Sequence, residues 1–313
     1  MAREKDPELS GAPQIALMAD GRRLHLQHGP IDIIARATGR PPSVEAAYRA
    51  AGQRFATILE ELVTELPLLR RHADTGTWPA GIVARRMHAA VLPHARNTFV
   101  TPMAAVAGSV AEEVMAAMRM AAPDLGNIFV NNGGDIALHL GGVEHLDVGL
   151  VGNADSPAID ALVRIDASSP VRGIATSGWR GRSQSLGIAD SVTVLAASAA
   201  EADVAATLIA NRVNIDHPAV VRAPADNLRD DTDLGDRLVT VHVGRMDRDS
   251  VSEALDRGEE AANAMIAGGL AISAGLLLQG ESRIAGAVAA GQRAAAWEAD
   301  GISTTRFMTG RTA

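Results

Sequence analysis

The sequence predicts a layered α+β protein with mixed or antiparallel sheets and packed helices. Strand-like and helix-like segments alternate without the strict strand–helix–strand repeat of a parallel α/β fold. Hydrophobic residues make up 47% of the 313 residues, enough for a sizeable core. Aromatics contribute only 3% while Ala and Gly abound, so this core packs small side chains closely instead of filling space with rings. At roughly 100–200 residues per domain, the length predicts one domain or two interlocked subdomains. They span residues 1–313, with frayed tails at 1–12 and 302–313.

The first element is a hairpin: Gln14–Ala19 runs out, Asp20-Gly21 turns, and Arg23–Gln27 returns with alternation. Ser43 is read as the N-cap of a helix to about Thr64, its apolar positions Ala47, Ala51, Phe55, Ile58, Leu59 and Leu62 keeping helical period, and Pro67 as its end. A second helix covers about Pro79–Ala90 and stops near Pro93. Thr101-Pro102 opens a third, Ala104–Met120, because proline in a first turn forfeits no hydrogen bond. Asn127–Val130 is a strand leading into Gly133-Gly134-Asp135. Ile136–Leu140 and Val143–Val151 are expected to form a hairpin, since Gly141-Gly142 suits a type I′ turn.

Further on, Gly173–Gly178 enters a Gly/Ser-rich loop, Trp179–Ile188, and Ser191–Ala196 is a β-branched strand. Ser198 with Glu201 caps an Ala-rich helix to Asn211 in a capping-box pattern. Leu238–Val243 is a strand, Ser250–Arg257 a helix, and Gly258–Gly280 a small-residue core segment. Ala261–Gly280 is uncharged over about the length of a bilayer, but its Ala, Gly, Asn263, Ser273 and Gln279 read as buried core and not as a membrane span. No internal repeat is visible.

A net charge of −8 and the lack of any basic run argue against a nucleic-acid partner. The absence of cysteine excludes disulfides, thiolate nucleophiles and Cys-ligated zinc. The polar N-terminus carries no signal-peptide pattern, so the expected location is cytoplasmic. Histidine pairs are poor zinc sets. His25 and His28 alternate along an extended segment, His139 and His145 face opposite ways in the expected hairpin, and Pro93 separates His88 from His94. The acidic run Asp226, Asp230, Asp231, Asp233 and Asp236 lacks calcium-loop spacing and reads as a solvated loop.

Three stretches carry candidate chemistry. Gly133-Gly134-Asp135 and Thr176-Ser177-Gly178 each read alone as a bend or a turn. Asp203 and Thr207 stand at i and i+4, so their oxygens share one helix face among small residues, where they can reach a hard cation such as Mg²⁺.

In this order the stretches resemble the FAD:protein FMN transferase (ApbE-like) superfamily. Met103-Ala104-Ala105-Val106-Ala107-Gly108 resembles its helix-start motif. Gly133–Asp135 and Thr176–Gly178 match its Gly-Gly-Asp and Thr-Ser-Gly motifs, and Asp203–Thr207 its Asp-Ala-x-Ala-Thr motif. A closer likeness is to an uncharacterised branch, UPF 0280. It is carried by Thr101–Gly108, Gly181–Asp190, Asp233-Leu234-Gly235, Leu278-Gln279-Gly280 and His28–Asp32.

The resemblance implies a T-fold-related architecture. It also implies Mg²⁺ held by Asp203, Thr207 and a backbone carbonyl near Ala105, bridging the pyrophosphate of a flavin dinucleotide. Gly133, Gly134, Asp135, Thr176, Ser177 and Gly178 then line the cofactor, FAD or FMN, offering backbone N–H groups and a hydroxyl. Two departures separate the pocket from FMN transfer: Ala107 stands where the family has lysine, and Arg182-Ser183-Gln184-Ser185 where it has His-x-x-Asp-Pro.

The leading expectation is therefore a Mg²⁺-dependent flavin-site enzyme cleaving or transferring at the pyrophosphate, with Arg182, Ser183 and Ser185 as candidate reactive groups. The alternatives are a non-catalytic flavin or nucleotide carrier, or a pocket repurposed for a small anionic or heterocyclic metabolite. The expected partners are a small molecule and a second copy of the chain, with neither nucleic acid nor membrane.

Overall fold

The computed structural model describes residues 11–141, 145–150 and 161–286, so the expected tails fall almost wholly outside the description. β1 (Gln14–Leu17) and β2 (Leu24–His28) form the expected hairpin, and β3 (Ile31–Ala37) pairs back onto β2. The helices α1 (Pro41–Leu69), α2 (Ile82–Val91) and α3 (Val106–Ala121) follow, the last preceded by a 3-10 turn at Pro102–Ala105. Next come β4 (Ile128–Asn132), β5 (Asp135–His139), β6 (His145–Leu150), β7 (Ala161–Asp166), β8 (Gly173–Ser177) and β9 (Ser191–Ala196). Then α4 (Ala199–Arg212), β10 (Val220–Pro224), β11 (Leu238–Val243), α5 (Arg248–Ala267), β12 (Ser273–Leu278) and β13 (Glu281–Gly286) complete the order.

Nine strands form one sheet in the order β1-β2-β3-β4-β5-β8-β9-β12-β13, and all described pairings are antiparallel. Of the two expected sheet types, antiparallel is the one found. The order exposes a duplication that the sequence conceals. β2-β3, three helices and β4-β5 build one half; β8-β9, α4, α5 and β12-β13 build the other by the same hairpin–helices–hairpin plan. The halves meet where β5 pairs with β8 through Ile136↔Ile174 and Ala137↔Gly173.

Alternation along the strands sorts the core. Leu26, Ile33, Val130 and Ala137 face the helices of the first half, and Ala175, Val192 and Val194 those of the second. Phe129, Ile136, Leu138 and Ile174 face the other way, under the β6–β7 ribbon, where Val148 and Ile165 cover them. α4 is apolar nearly all round and lies at the centre. Only Glu201, Asp203, Thr207 and Asn211, with Arg212 at its end, retain surface.

Several local expectations are corrected. Ser43 is not the N-cap of α1: Arg40 holds that position, and the Ser43 hydroxyl inside the helix donates to Asp124 at 2.8 Å. Pro67 does not end α1; it sits in the last turn, where its missing N–H forfeits a single bond. Ile136–Leu140 and Val143–Val151 do not pair, since β5 lies between β4 and β8 while β6 pairs with β7. Gly142, Val143 and Val151 themselves lie outside the described residues. The two-glycine turn belongs one strand earlier: Gly133 (φ 67°) and Gly134 (φ 117°) join β4 to β5, with Asn132 opposite Asp135.

Gly258–Gly280 is not one element but the end of α5, a turn at Gly268-Gly269 and then β12. Gly269, at φ 71°, ends the helix. No helix of the described residues is long and apolar enough to cross a membrane.

Candidate functional site

The seam between the halves gathers most of the candidate residues. Asp135 opens β5 on its helix-facing side, while Asp203 occupies the half-exposed stripe of α4. The first turn of α3 points its amides at Asp203, whose Oδ2 accepts from the Gly108 N–H at 3.0 Å. In return Glu112 of α3 accepts at 2.8 Å from the Ala200 N–H in the first turn of α4. Each helix thus caps the other, satisfying amides that have no partner of their own. So close a crossing requires Gly108: a Cβ there would lie 2.2 Å from the Ala199 carbonyl oxygen. Asn132 fastens the same turn to β4 by donating to the Ala107 carbonyl at 3.1 Å.

Two carboxylates so placed strain each other electrostatically. Burial pushes the Asp203 carboxyl up to about 7, against the backbone N–H groups of Gly108 and Ala107 that favour its ionised form. Burial, and then the charge of Asp203, push Asp135 well above the usual carboxylate range. The Thr176 N–H and the Arg182 guanidinium oppose that rise. Arg182 lies against the hairpin turn: a Cβ on Gly133 would meet its Nη2 at 2.1 Å, so a side chain there would displace the guanidinium.

The Thr176 hydroxyl does not join this group. Thr176 pairs with Thr193 on the opposite face of the sheet, and their hydroxyl oxygens are 2.9 Å apart. Its backbone N–H is what reaches Asp135. Ser177 is half-buried, and Gly178 is buried where a Cβ would lie 2.5 Å from the Asp190 carbonyl oxygen. Thr207 follows Asp203 one turn along the open stripe of α4, with Asn211 one turn further. Ala105 is buried at the junction of the 3-10 turn and α3.

The loop 179–188 meets the C-terminal end of that stripe. Asn211 Oδ1 accepts from the Leu186 N–H at 2.9 Å. Ser183 is exposed on the loop. Ser185 is buried, and its hydroxyl is engaged within the loop, accepting from the Gly187 N–H at 3.2 Å. Of two cavities of about 340 and 390 Å³, one bordered by Arg119 and His139, the other by Asn211, Arg212, Arg222 and Arg257, neither is lined by Asp135, Asp203, Thr207 or Arg182.

A family model described as AbpE bacteria matches residues 15–284, nearly the whole described chain. The chain belongs to this family. Curated relatives of this AbpE-family chain carry the name UPF0280 protein. That of Methanothrix thermoacetophila is 39% identical over 165 residues, covering 51% of this chain and 65% of the relative. That of Methanocella arvoryzae is 33% identical over 186 residues, covering 58% and 70%. The chain thus spans just under two thirds of the first relative's length.

Two solved structures align more distantly with this AbpE-family chain. The ApbE protein from Thermotoga maritima has a TM-score of 0.42 at 12% identity, covering 65% of this chain and 87% of the other. The apo form of the Pseudomonas stutzeri flavinyl transferase ApbE has a TM-score of 0.45 at 10% identity, covering 88% and 95%. The α+β assignment rests on this chain's own strands and helices.

Sequence reasoning missed the residues that hold the site together. Glu112 gave no local signal, because its partner amide lies 88 residues away. Asp233, expected in a solvated loop, is half-buried and accepts a short hydrogen bond from the Thr101 hydroxyl.

Proposed function

We propose that this AbpE-family protein is a Mg²⁺-dependent flavin-site enzyme that binds FAD or FMN and cleaves or transfers at the pyrophosphate. The observation that carries the reading is the convergence of Asp135, Asp203, the first-turn amides of α3 and the Arg182 guanidinium at one seam. The donor set fits the metal: a hard cation takes oxygen ligands, and it would offset the burial that disfavours the ionised forms of Asp135 and Asp203. Asp203, Thr207 and the Ala105 carbonyl would hold Mg²⁺, which would supply charge neutralisation at a phosphate. Gly133, Gly134 and Thr176–Gly178 would line the ligand, with the Gly134 N–H already donating to Asn131 Oδ1 at 2.9 Å and the Thr176 N–H to Asp135. A small-molecule partner and a homodimer complete the reading.

Titration of the purified protein with FAD, with and without Mg²⁺, tests it. Saturable binding that needs both Mg²⁺ and Asp203, lost in Asp203→Ala, is expected, with pyrophosphate cleavage as the activity to assay. No FAD binding under either condition would overturn the reading. Sedimentation velocity reports the homodimer.

A second reading has its own observation. Arg182 stands where the transferases have His-x-x-Asp-Pro, and its guanidinium lies on the Gly133 turn. This favours a pocket repurposed for a small anionic metabolite. Loss of that ligand in Arg182→Ala, with FAD never bound, would support it.

A further inference from the structure

The acidic run between β10 and β11 is not a free surface loop. Residues 225–237 reach both sides of the seam. On one side the Arg229 Nη2 donates to the Arg182 carbonyl at 2.9 Å. Thr232 Oγ1 donates to Gln184 Oε1 at 2.6 Å, and Gln184 Nε2 donates to the Ala225 carbonyl at 3.0 Å. On the other side Asp233 accepts from the Thr101 hydroxyl, which also takes the Met103 N–H at the start of the 3-10 turn before α3. Beside it the Arg237 guanidinium lies 3.5 Å over the Phe99 ring, whose plane is stacked with His72. The loop also closes on itself, with Ala225 N–H donating to the Arg237 carbonyl at 2.9 Å and Asp226 N–H to the Gly235 carbonyl at 3.0 Å.

We infer that residues 225–237 form a strap whose Arg229 and Thr232 are positioning residues, holding the 182–184 segment so that the Arg182 guanidinium stays over the Gly133 turn. The physical case is one of entropy. Arg182 and Ser183 are exposed on a Gly/Ser-rich loop, where a long side chain forfeits rotamer freedom to stay in one place. One hydrogen bond holds the Arg182 carbonyl and two hold the Gln184 side chain, so the segment is tied on both sides of Ser183 and less ordering is left for the ligand to drive. The anchors at Thr101 and Phe99 fix the strap to the half that supplies the α3 amides, so the two charge-binding groups keep a constant spacing. A solvated acidic loop would have none of these ties. What the strap acts on rests on the flavin reading; that it positions Arg182 does not.

The test uses the full chain carrying Arg229→Ala with Thr232→Val. Amide hydrogen exchange, measured without ligand, is expected to rise about tenfold or more over 181–186, while amides 204–210 of α4 stay protected. FAD with Mg²⁺ is then expected to bind about tenfold more weakly. Adding Arg182→Ala should cost nothing further, because the strap acts through that residue. Arg229→Lys, which keeps a donor, should restore part of the affinity. Unchanged exchange over 181–186, or losses that add fully to those of Arg182→Ala, would overturn the strap. If the wild-type chain binds no FAD, the flavin reading falls, and exchange over 181–186 alone decides the strap.

Discussion

Asp203 does two things at once: it caps α3 and it shares a confined space with Asp135. The α3 amides favour its charge, and burial opposes it. With a folded pKa of about 7, above its usual 3.8, it binds its proton more tightly folded than unfolded. Its contribution to stability is therefore full below about pH 4 and is lost as pH rises from there through 7. In metal-free buffer the wild-type unfolding midpoint should fall relative to that of Asp203→Asn between pH 4 and pH 7, and the difference should level off above pH 8. Parallel curves from thermal unfolding would show that the carboxyl is not perturbed. Gly133→Ala should be destabilised by about 1 kcal/mol, because alanine would meet positive φ while the exposed Arg182 guanidinium can swing aside. Urea unfolding measures it, and Arg182→Ala should recover little of it.

Between elements, α3 and α4 depend on each other. Burial raises the Glu112 carboxyl, while the Ala200 amide and Arg86 favour its charged form. Arg86 also pairs with Glu112 and Glu113, at 3.1 Å in each case, tying α2 to the same helix. Glu112→Ala should cost about 1–2 kcal/mol as a lost cap, read by denaturant unfolding. Gly108→Ala should cost more, because the added methyl meets backbone at Ala199, which cannot rotate aside. If Gly108→Ala proves as stable as the wild type, the helices do not cross so closely.

Taken entire, the molecule has two halves but no independent cores. One sheet runs through both, and the first half's core includes Ala199, Val204 and Leu208 of α4, an element of the second. Unfolding should therefore be a single transition. Trp78 lies in the first half and Trp179 in the second, where it donates to Asp190 at 3.2 Å. Chains retaining only one of these two tryptophans should report the same urea midpoint. Midpoints separated beyond error would show that the halves unfold one at a time.

Local chemistry alone sets some elements, though not the start of α1, where Arg40 and not Ser43 is the N-cap. Ser198 caps α4 as the Ser–Glu spacing predicts, accepting from the Glu201 N–H at 3.2 Å, and β9 and β11 have their expected bounds. Asp203 and Thr207 share the one open stripe of α4, as their spacing requires. The class of fold and the order of most elements were thus legible in the sequence alone, since helical period, caps and glycine turns act over a few residues; the motif residues of the seam stand out only through the family resemblance. What only tertiary structure decided is which strands pair and which polar residues meet. The two-glycine rule was right in kind, yet the hairpin turn lies at Gly133-Gly134, because β5 finds its other neighbour, β8, across an inserted ribbon. The mutual caps and the anchoring of Asp233 by Thr101 join residues 88 to 132 positions apart. Such contacts leave no periodic trace in the chain: they arise when packing excludes water and buried polar groups must find partners in other elements.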